Sequence, residues 1–141
     1  MTRPTRHRST LATALAATLA ATLLAGAAPA RAATPAELLA GYSAQAGAPA
    51  VPARGQAFFT SRQGQEWSCA SCHAALPTQA GKHASTGKPI AALAPAFNPE
   101  RFTDPAKVEK WFRRNCKDVA ARECSAGEKA DVLAWLIGLK P

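Results

Sequence analysis

An all-α domain of four or five short helices is the fold class that this sequence predicts, and three observations predict it. No stretch alternates apolar and polar residues cleanly at period two, and no internal repeat is present. Two capping boxes and one Asp-Pro start each precede a segment with apolar residues at helical spacing. Prolines and glycines, 11 and nine in number, cut the chain between those segments, so each helix stays short.

The first segment belongs outside that domain. Residues 1–10 carry Arg3, Arg6 and Arg8 and no acid, and an apolar run of mostly Ala, Leu and Thr follows from Leu11 to Ala28. Ala30-Arg31-Ala32 then supplies a small-x-small cleavage site. That order predicts a secretory signal peptide over residues 1–32 and a single domain over 33–141, exported to the periplasm without a membrane span. The apolar run is close to spanning length, so an uncleaved anchor is the competing reading. The many Ala and Thr make the run only weakly hydrophobic, and the small-residue exit favours cleavage. There is no twin arginine, so export of an unfolded chain is the simpler route.

Cleavage leaves 109 residues with 13 basic and nine acidic side chains, so the net charge falls from +8 to +4. This is mildly basic. No basic run is interleaved with stacking aromatics, which excludes nucleic acid as a partner. A domain of this size has a small core, and a covalently held cofactor would help to complete it.

The helices follow in order. Thr34-Pro35-Ala36-Glu37 combines a capping box with proline at the first helical position. A helix is expected from there to about Ala46, with Leu38, Leu39 and Tyr42 on one face and Gly47 at its end. Pro49 and Pro52 break the chain. A second helix is expected over about Ala53–Arg62, with Phe58 and Phe59 on its apolar side. Residues 76–103 contain Pro77, Pro89, Pro95 and Pro99 and little periodicity. They read as a long loop, which in a compact domain usually wraps around something. Asp104-Pro105 starts the next helix, where Val108, Trp111, Phe112 and Asn115 fall at i, i+3, i+4 and i+7 on one face. Ser125-Ala126-Gly127-Glu128 opens the last helix, which turns Val132, Leu133, Trp135, Leu136 and Leu139 towards the core.

Cys69-Ala70-Ser71-Cys72-His73 carries the chemistry. Two thiols at i and i+3 lie one helical turn apart and can add to the two vinyl groups of one haem. The adjacent His73 then projects an imidazole to the iron. Cys-x-x-Cys-His is the attachment signature of haem c, and one motif means one haem. A redox Cys-x-x-Cys would want a βαβ context, which is missing. A zinc site would want a second ligand pair at matched spacing, and seven residues lie between Cys116 and Cys124.

The second axial position is less determined. The one methionine is Met1, so the mature domain has no thioether to offer. His83, Asn98, Asn115, a lysine, water or nothing remain. His83 follows His73 by ten residues in the loop, where an exposed histidine is the simpler reading. Asn98 sits in Phe97-Asn98-Pro99, and turn duty explains it. Asn115 continues an apolar stripe, and an amide there must find a partner or cost stability. It is either a ligand or a helix-end amide bonded to nearby carbonyls. Cys116 and Cys124 are most simply a disulfide in an oxidising compartment, with free thiols or an intermolecular link as the other readings. Lys107, Lys110 and Arg114 form a basic stripe whose centre lies about 120° from the apolar one. It is a solvated face or a landing surface for an acidic electron donor.

These residues resemble a known family, the SHP-type, oxygen-binding, asparagine-ligated class I cytochromes c. The likeness runs along almost the whole mature chain. It includes Pro35-Ala36-Glu37-Leu38-Leu39-Ala40-Gly41-Tyr42, Arg54-Gly55-Gln56-Ala57-Phe58-Phe59 and Ser68-Cys69-Ala70-Ser71-Cys72-His73. Its most specific part is Arg101-Phe102-Thr103-Asp104, then Val108-Glu109-Lys110-Trp111-Phe112-Arg113-Arg114-Asn115-Cys116, with Cys124 and Gly127-Glu128-Lys129-Ala130-Asp131 following. The resemblance implies a class I cytochrome c fold wrapped around one haem c bound to Cys69 and Cys72. It implies His73 and Asn115 as axial ligands of the ferric form and a Cys116–Cys124 disulfide. It also implies that the asparagine leaves on reduction and that the open iron binds O2 or NO. The family's usual reductant is a diheme cytochrome c, and nitric oxide dioxygenation has been proposed as its activity. The expected protein is thus a monomeric, periplasmic haem protein binding a small diatomic molecule. The alternative is a plain one-electron carrier whose sixth ligand stays. A haem peroxidase would need an acid–base side chain over the distal face, which Asn115 cannot supply.

Overall fold

The computed structural model describes Met1 and residues 32–141. The expected signal peptide and its cleavage site therefore fall almost entirely outside the described residues. Five helices and one two-stranded hairpin make up the described chain: α1 (Pro35–Ala46), α2 (Pro52–Thr60), α3 (Cys69–His73), β1 (Gly81–Lys82), β2 (Pro89–Ile90), α4 (Pro105–Ala120) and α5 (Ala126–Gly138). Among them no helix is long and apolar enough to cross a membrane.

Local chemistry sets the ends of α1, α4 and α5. The Thr34 hydroxyl accepts the Glu37 N–H at 3.1 Å, and the Glu37 carboxylate accepts the Thr34 N–H at 2.7 Å. Pro35 takes the first helical position, where its missing N–H costs nothing, and Gly47 closes α1 with φ 64°. Asp104 caps α4 by accepting the Lys107 N–H at 3.0 Å. Ser125 and Glu128 form the reciprocal box of α5, at 3.2 and 2.8 Å.

α2 has no side-chain cap of its own. Its start is held from α5 instead. Asp131, buried, accepts the Val51 N–H and two hydrogen bonds from the Arg54 guanidinium at 2.7 and 3.1 Å. The two helices cross at Gly55, where a Cβ would overlap the Asp131 carbonyl. α2 spans Pro52–Thr60, shorter than expected, because Ser61 turns to an extended backbone. The Thr60 hydroxyl also donates back to the Gln56 carbonyl at 2.8 Å.

The core lies where α1 and α2 pack on α5. Leu133 and Leu136 are fully buried, with Val132 and Trp135 nearly so. Each such side chain contributes about 1.5–3 kcal/mol through area removed from water. Phe59 meets Trp135 with ring centroids 4.9 Å apart. Tyr42, Phe102 and Val108 complete the same cluster.

The long loop departs from expectation in one respect. It contains an antiparallel hairpin pairing Gly81 with Ile90 and Lys82 with Pro89. Strands of two residues are too short to show alternation, so periodicity could not reveal them. Beyond the hairpin the loop is pinned by backbone bonds from Leu93 and Ala94 to the Pro77 carbonyl, both at 3.0 Å. The fold is all-α in class, with this small sheet attached.

Candidate haem site

A cavity of about 880 Å³ opens between α3, the long loop and α4. It falls in the volume range of cofactor sites, and apolar side chains make up the larger part of its wall, with charged and polar ones among them. Phe58, Phe59, Leu93, Phe112 and Leu136 supply apolar surface. Cys69, Cys72, His73, Asn115, Cys116 and Cys124 also border it.

α3 places Cys69, Cys72 and His73 within little more than one turn. Ser68 caps it: its N–H donates to the Ser71 hydroxyl at 3.0 Å. Both cysteines are partly buried and stand outside any disulfide. Burial pushes the Cys69 thiol up to about 11, so as a thiol it stays protonated at neutral pH. Burial, and secondly the Arg101 charge, pushes His73 down to about 4, which leaves a neutral imidazole able to act as a metal ligand. The ring packs beside Phe59 at 6.2 Å between centroids. The hairpin lies directly against this helix. Gly81 has no space for a Cβ because the Cys72 carbonyl and the His73 Cα occupy it.

α4 brings Trp111, Phe112 and Asn115 to the cavity. Asn115 is half-buried, and among the described residues its carboxamide has no hydrogen-bond partner. It therefore does not bond nearby carbonyls at a helix end. Cys116 and Cys124 are joined by a disulfide with Cα atoms 5.6 Å apart, which ties the latter half of α4 to the segment before α5.

The other candidates are placed differently. Asn98 spends its amide in a turn, donating to the Ala92 carbonyl at 3.2 Å and accepting the Glu100 N–H at 3.3 Å. His83 borders the cavity but is exposed, and its Nδ1 accepts the Thr86 N–H at 3.2 Å. Lys107, Lys110 and Arg114 are exposed, and the Arg114 guanidinium lies 5.2 Å above the Trp111 ring.

Arg101 enters the sequence reading only within the family-like stretch Arg101-Phe102-Thr103-Asp104, with no role of its own. It borders the cavity, half-buried, and its guanidinium donates to the Ala92 carbonyl at 2.8 Å and the Ala91 carbonyl at 2.6 Å. A single cation in a proline-rich loop has no periodic signal to find it by.

The arrangement fits haem c. Two thiols one turn apart, a neutral imidazole beside them and a largely apolar cavity are what a covalently attached macrocycle requires. Among the described residues no cluster of three or more His, Cys, Asp or Glu is placed to hold a bare metal ion.

Comparison with known proteins agrees. The family model "Domain of unknown function (DUF1924)" matches residues 45–136. The chain is 54% identical over 118 residues to the cytochrome c-type protein SHP of Cereibacter sphaeroides, covering 81% of this chain and 91% of that protein. The structure of oxidized SHP, an oxygen-binding cytochrome c, superposes with a TM-score of 0.73 at 53% identity, over 77% of this chain and 99% of the other. A solution structure of cytochrome c'' from Methylophilus methylotrophus, which addresses haem-ligand detachment, matches with a TM-score of 0.67 at 33% identity, over 76% and 94% of the two chains. The cofactor is haem c, and the chain belongs to the family of SHP-type c-type cytochromes.

Proposed function

We propose that this chain is an exported haem protein in which Cys69 and Cys72 anchor haem c and His73 and Asn115 ligate its ferric iron. Asn115 leaves on reduction, and O2 or NO binds in the space it vacates. Bound haem supplies the redox couple and the coordination position.

The observation that carries this reading is the Asn115 carboxamide, which borders the cavity on an otherwise apolar stripe without a protein partner. No protein group takes up this amide, so it is available to a group held in the cavity, and once such a group shuts out water an unbonded amide there would cost stability. An amide oxygen is a hard, neutral, weak donor, so it suits ferric better than ferrous iron. One added electron is enough to release it. Once free, its N–H2 end can donate a hydrogen bond to a diatomic guest. The likeness to an oxygen-binding SHP and to a cytochrome studied for haem-ligand detachment supports the same reading.

His83 fits the second axial position less well, because its Nδ1 is already engaged and its ring is exposed. The electron donor is a partner cytochrome, of diheme type in keeping with the resemblance, docking over Lys107, Lys110 and Arg114. Residues 1–32 act as the removable export signal, and the mature domain works in the periplasm as a monomer.

Substituting Asn115→Ala tests the ligation. The ferric absorption spectrum is expected to change from six-coordinate low-spin to five-coordinate or water-ligated high-spin. The ferrous wild type is expected to bind carbon monoxide rapidly. An unchanged ferric spectrum refutes Asn115 as ligand, and failure of the reduced protein to bind carbon monoxide leaves a plain electron carrier.

A further inference from the structure

We propose that Glu109, gripped by Tyr42 and Lys129, is a positioning residue that sets how readily Asn115 leaves the iron. The inference rests on the axial role of Asn115 given above.

The two sides of the cavity are built differently. The His73 side stands on a close-packed frame. α2 crosses α5 at Gly55 with no room for a methyl group, and Phe59 touches both Trp135 and His73. α4 makes no such approach to the other helices. Side chains hold it. One attachment is the disulfide at Cys116, the residue after Asn115. Val108 seats the first half of α4 in the core cluster, and beside it the polar attachment is Glu109, six residues before Asn115.

Glu109 joins three helices at one carboxylate. One oxygen accepts the Tyr42 hydroxyl of α1 at 3.0 Å, and the other accepts the Lys129 ammonium of α5 at 2.6 Å. The Lys129 ammonium also lies 5.5 Å over the Tyr42 ring. The Lys129 side chain is only 12% exposed, so water offers it little alternative to Glu109. The same Tyr42 ring stands edge-on to Phe112, centroids 5.8 Å apart at 87°. Phe112 precedes Asn115 by three residues on the cavity-facing stripe, so the network reaches the ligand through one ring contact and one helical turn.

The consequence is mechanical. For Asn115 to leave, the last turns of α4 must move or the side chain must rotate. In the proposed movement α4 pivots about the disulfide at Cys116, and the Glu109 attachment opposes it. Loosening Glu109 therefore favours departure of the carboxamide.

The test uses the haem-loaded full chain. The rate at which imidazole binds the ferric protein reports the opening of the Asn115 position. Glu109→Gln keeps the volume and an acceptor for Tyr42 but removes the charge. It is expected to accelerate imidazole binding on the order of threefold to tenfold. Lys129→Met is expected to do the same, and the acceleration is expected to vanish when Asn115→Ala is added. Unchanged rates in both single variants overturn the proposal. So does an acceleration that persists without Asn115, since that describes a generally looser cavity. Tyr42→Phe keeps the ring and serves if either charge variant fails to fold; with it too, an unchanged rate overturns the proposal. Asn115→Ala alone, read by its ferric spectrum, separates failure of the ligand assignment from failure of this inference.

Discussion

The same substitution at two glycines is expected to have opposite effects, because the structure gives their missing methyl groups different surroundings. At Gly55 an added Cβ lies 2.6 Å from the Val132 nitrogen and closer still to the Asp131 carbonyl. Ordinary contact needs about 3.4–4 Å, and both obstacles are backbone, so α2 and α5 must part by on the order of 1 Å. Parting them strains the Phe59–Trp135 packing and the hydrogen bonds that Asp131 accepts from Val51 and Arg54. Overpacking of this kind costs about 1–3 kcal/mol. The disturbed hydrogen bonds at buried Asp131 bring the total to about 3 kcal/mol, with the Arg54 share discounted because that side chain is mostly exposed. In a domain of this size each kcal/mol moves the melting temperature by about 4–8 °C, so Gly55→Ala is expected to lower it by about 12–24 °C. Gly41 lies on the exposed side of α1 with nothing within 4 Å of its Cβ position. Gly41→Ala is expected to stabilise by about 0.5–1 kcal/mol through the lower entropy of the unfolded chain. Thermal unfolding of both haem-loaded variants followed by far-ultraviolet circular dichroism checks the pair. If Gly55→Ala melts within about 3 °C of the parent, the close crossing of α2 and α5 is not what holds the frame.

Three further outcomes follow from the geometry. Gly81→Ala pushes β1 away from the Cys72 carbonyl and the His73 Cα, so haem incorporation during expression is expected to fall, read from the absorbance ratio of haem to protein; full incorporation refutes the contact. Glu109 and Glu128 are held below the ordinary carboxylate value of 4.5, first by their hydrogen bonds with Lys129 and Arg122 respectively. A lowered folded value means that their stabilisation is present above pH 4.5 and is lost as pH falls through the folded value, so denaturant midpoints are expected to be flat from pH 7 to 5 and to drop below about 4.5. If the exposed Lys107, Lys110 and Arg114 receive an acidic electron donor, the bimolecular reduction rate is expected to fall steeply between low and physiological salt, and a salt-independent rate removes the docking surface.

Much of this protein is written in short-range patterns. The haem attachment signature needs only Cys69, Cys72 and His73 within five residues. The start of α1, α4 and α5 needs only a capping residue and its neighbours three positions on. The apolar stripes of α4 and α5 repeat at helical spacing, and Val132, Leu133, Trp135 and Leu136 are buried as that spacing requires. Such patterns are legible because each depends on residues that share one turn, whatever the rest of the chain does.

What lies beyond one turn had to wait for the tertiary structure. The stripe containing Asn115 is visible in the sequence, but whether its amide meets a carbonyl or a cavity is not, since that depends on how α4 lies against the long loop and α3. No neighbour of Asp131 in the sequence names its partner, yet it caps α2 from 80 residues away. Nor does any neighbour of Glu109, which meets Tyr42 at a separation of 67 residues. The physical reason is common to all three. Backbone propensity and hydrophobic period specify which face of an element is turned inward, whereas the partner of a polar group on that face is chosen by the packing of elements that the chain brings together only when it folds.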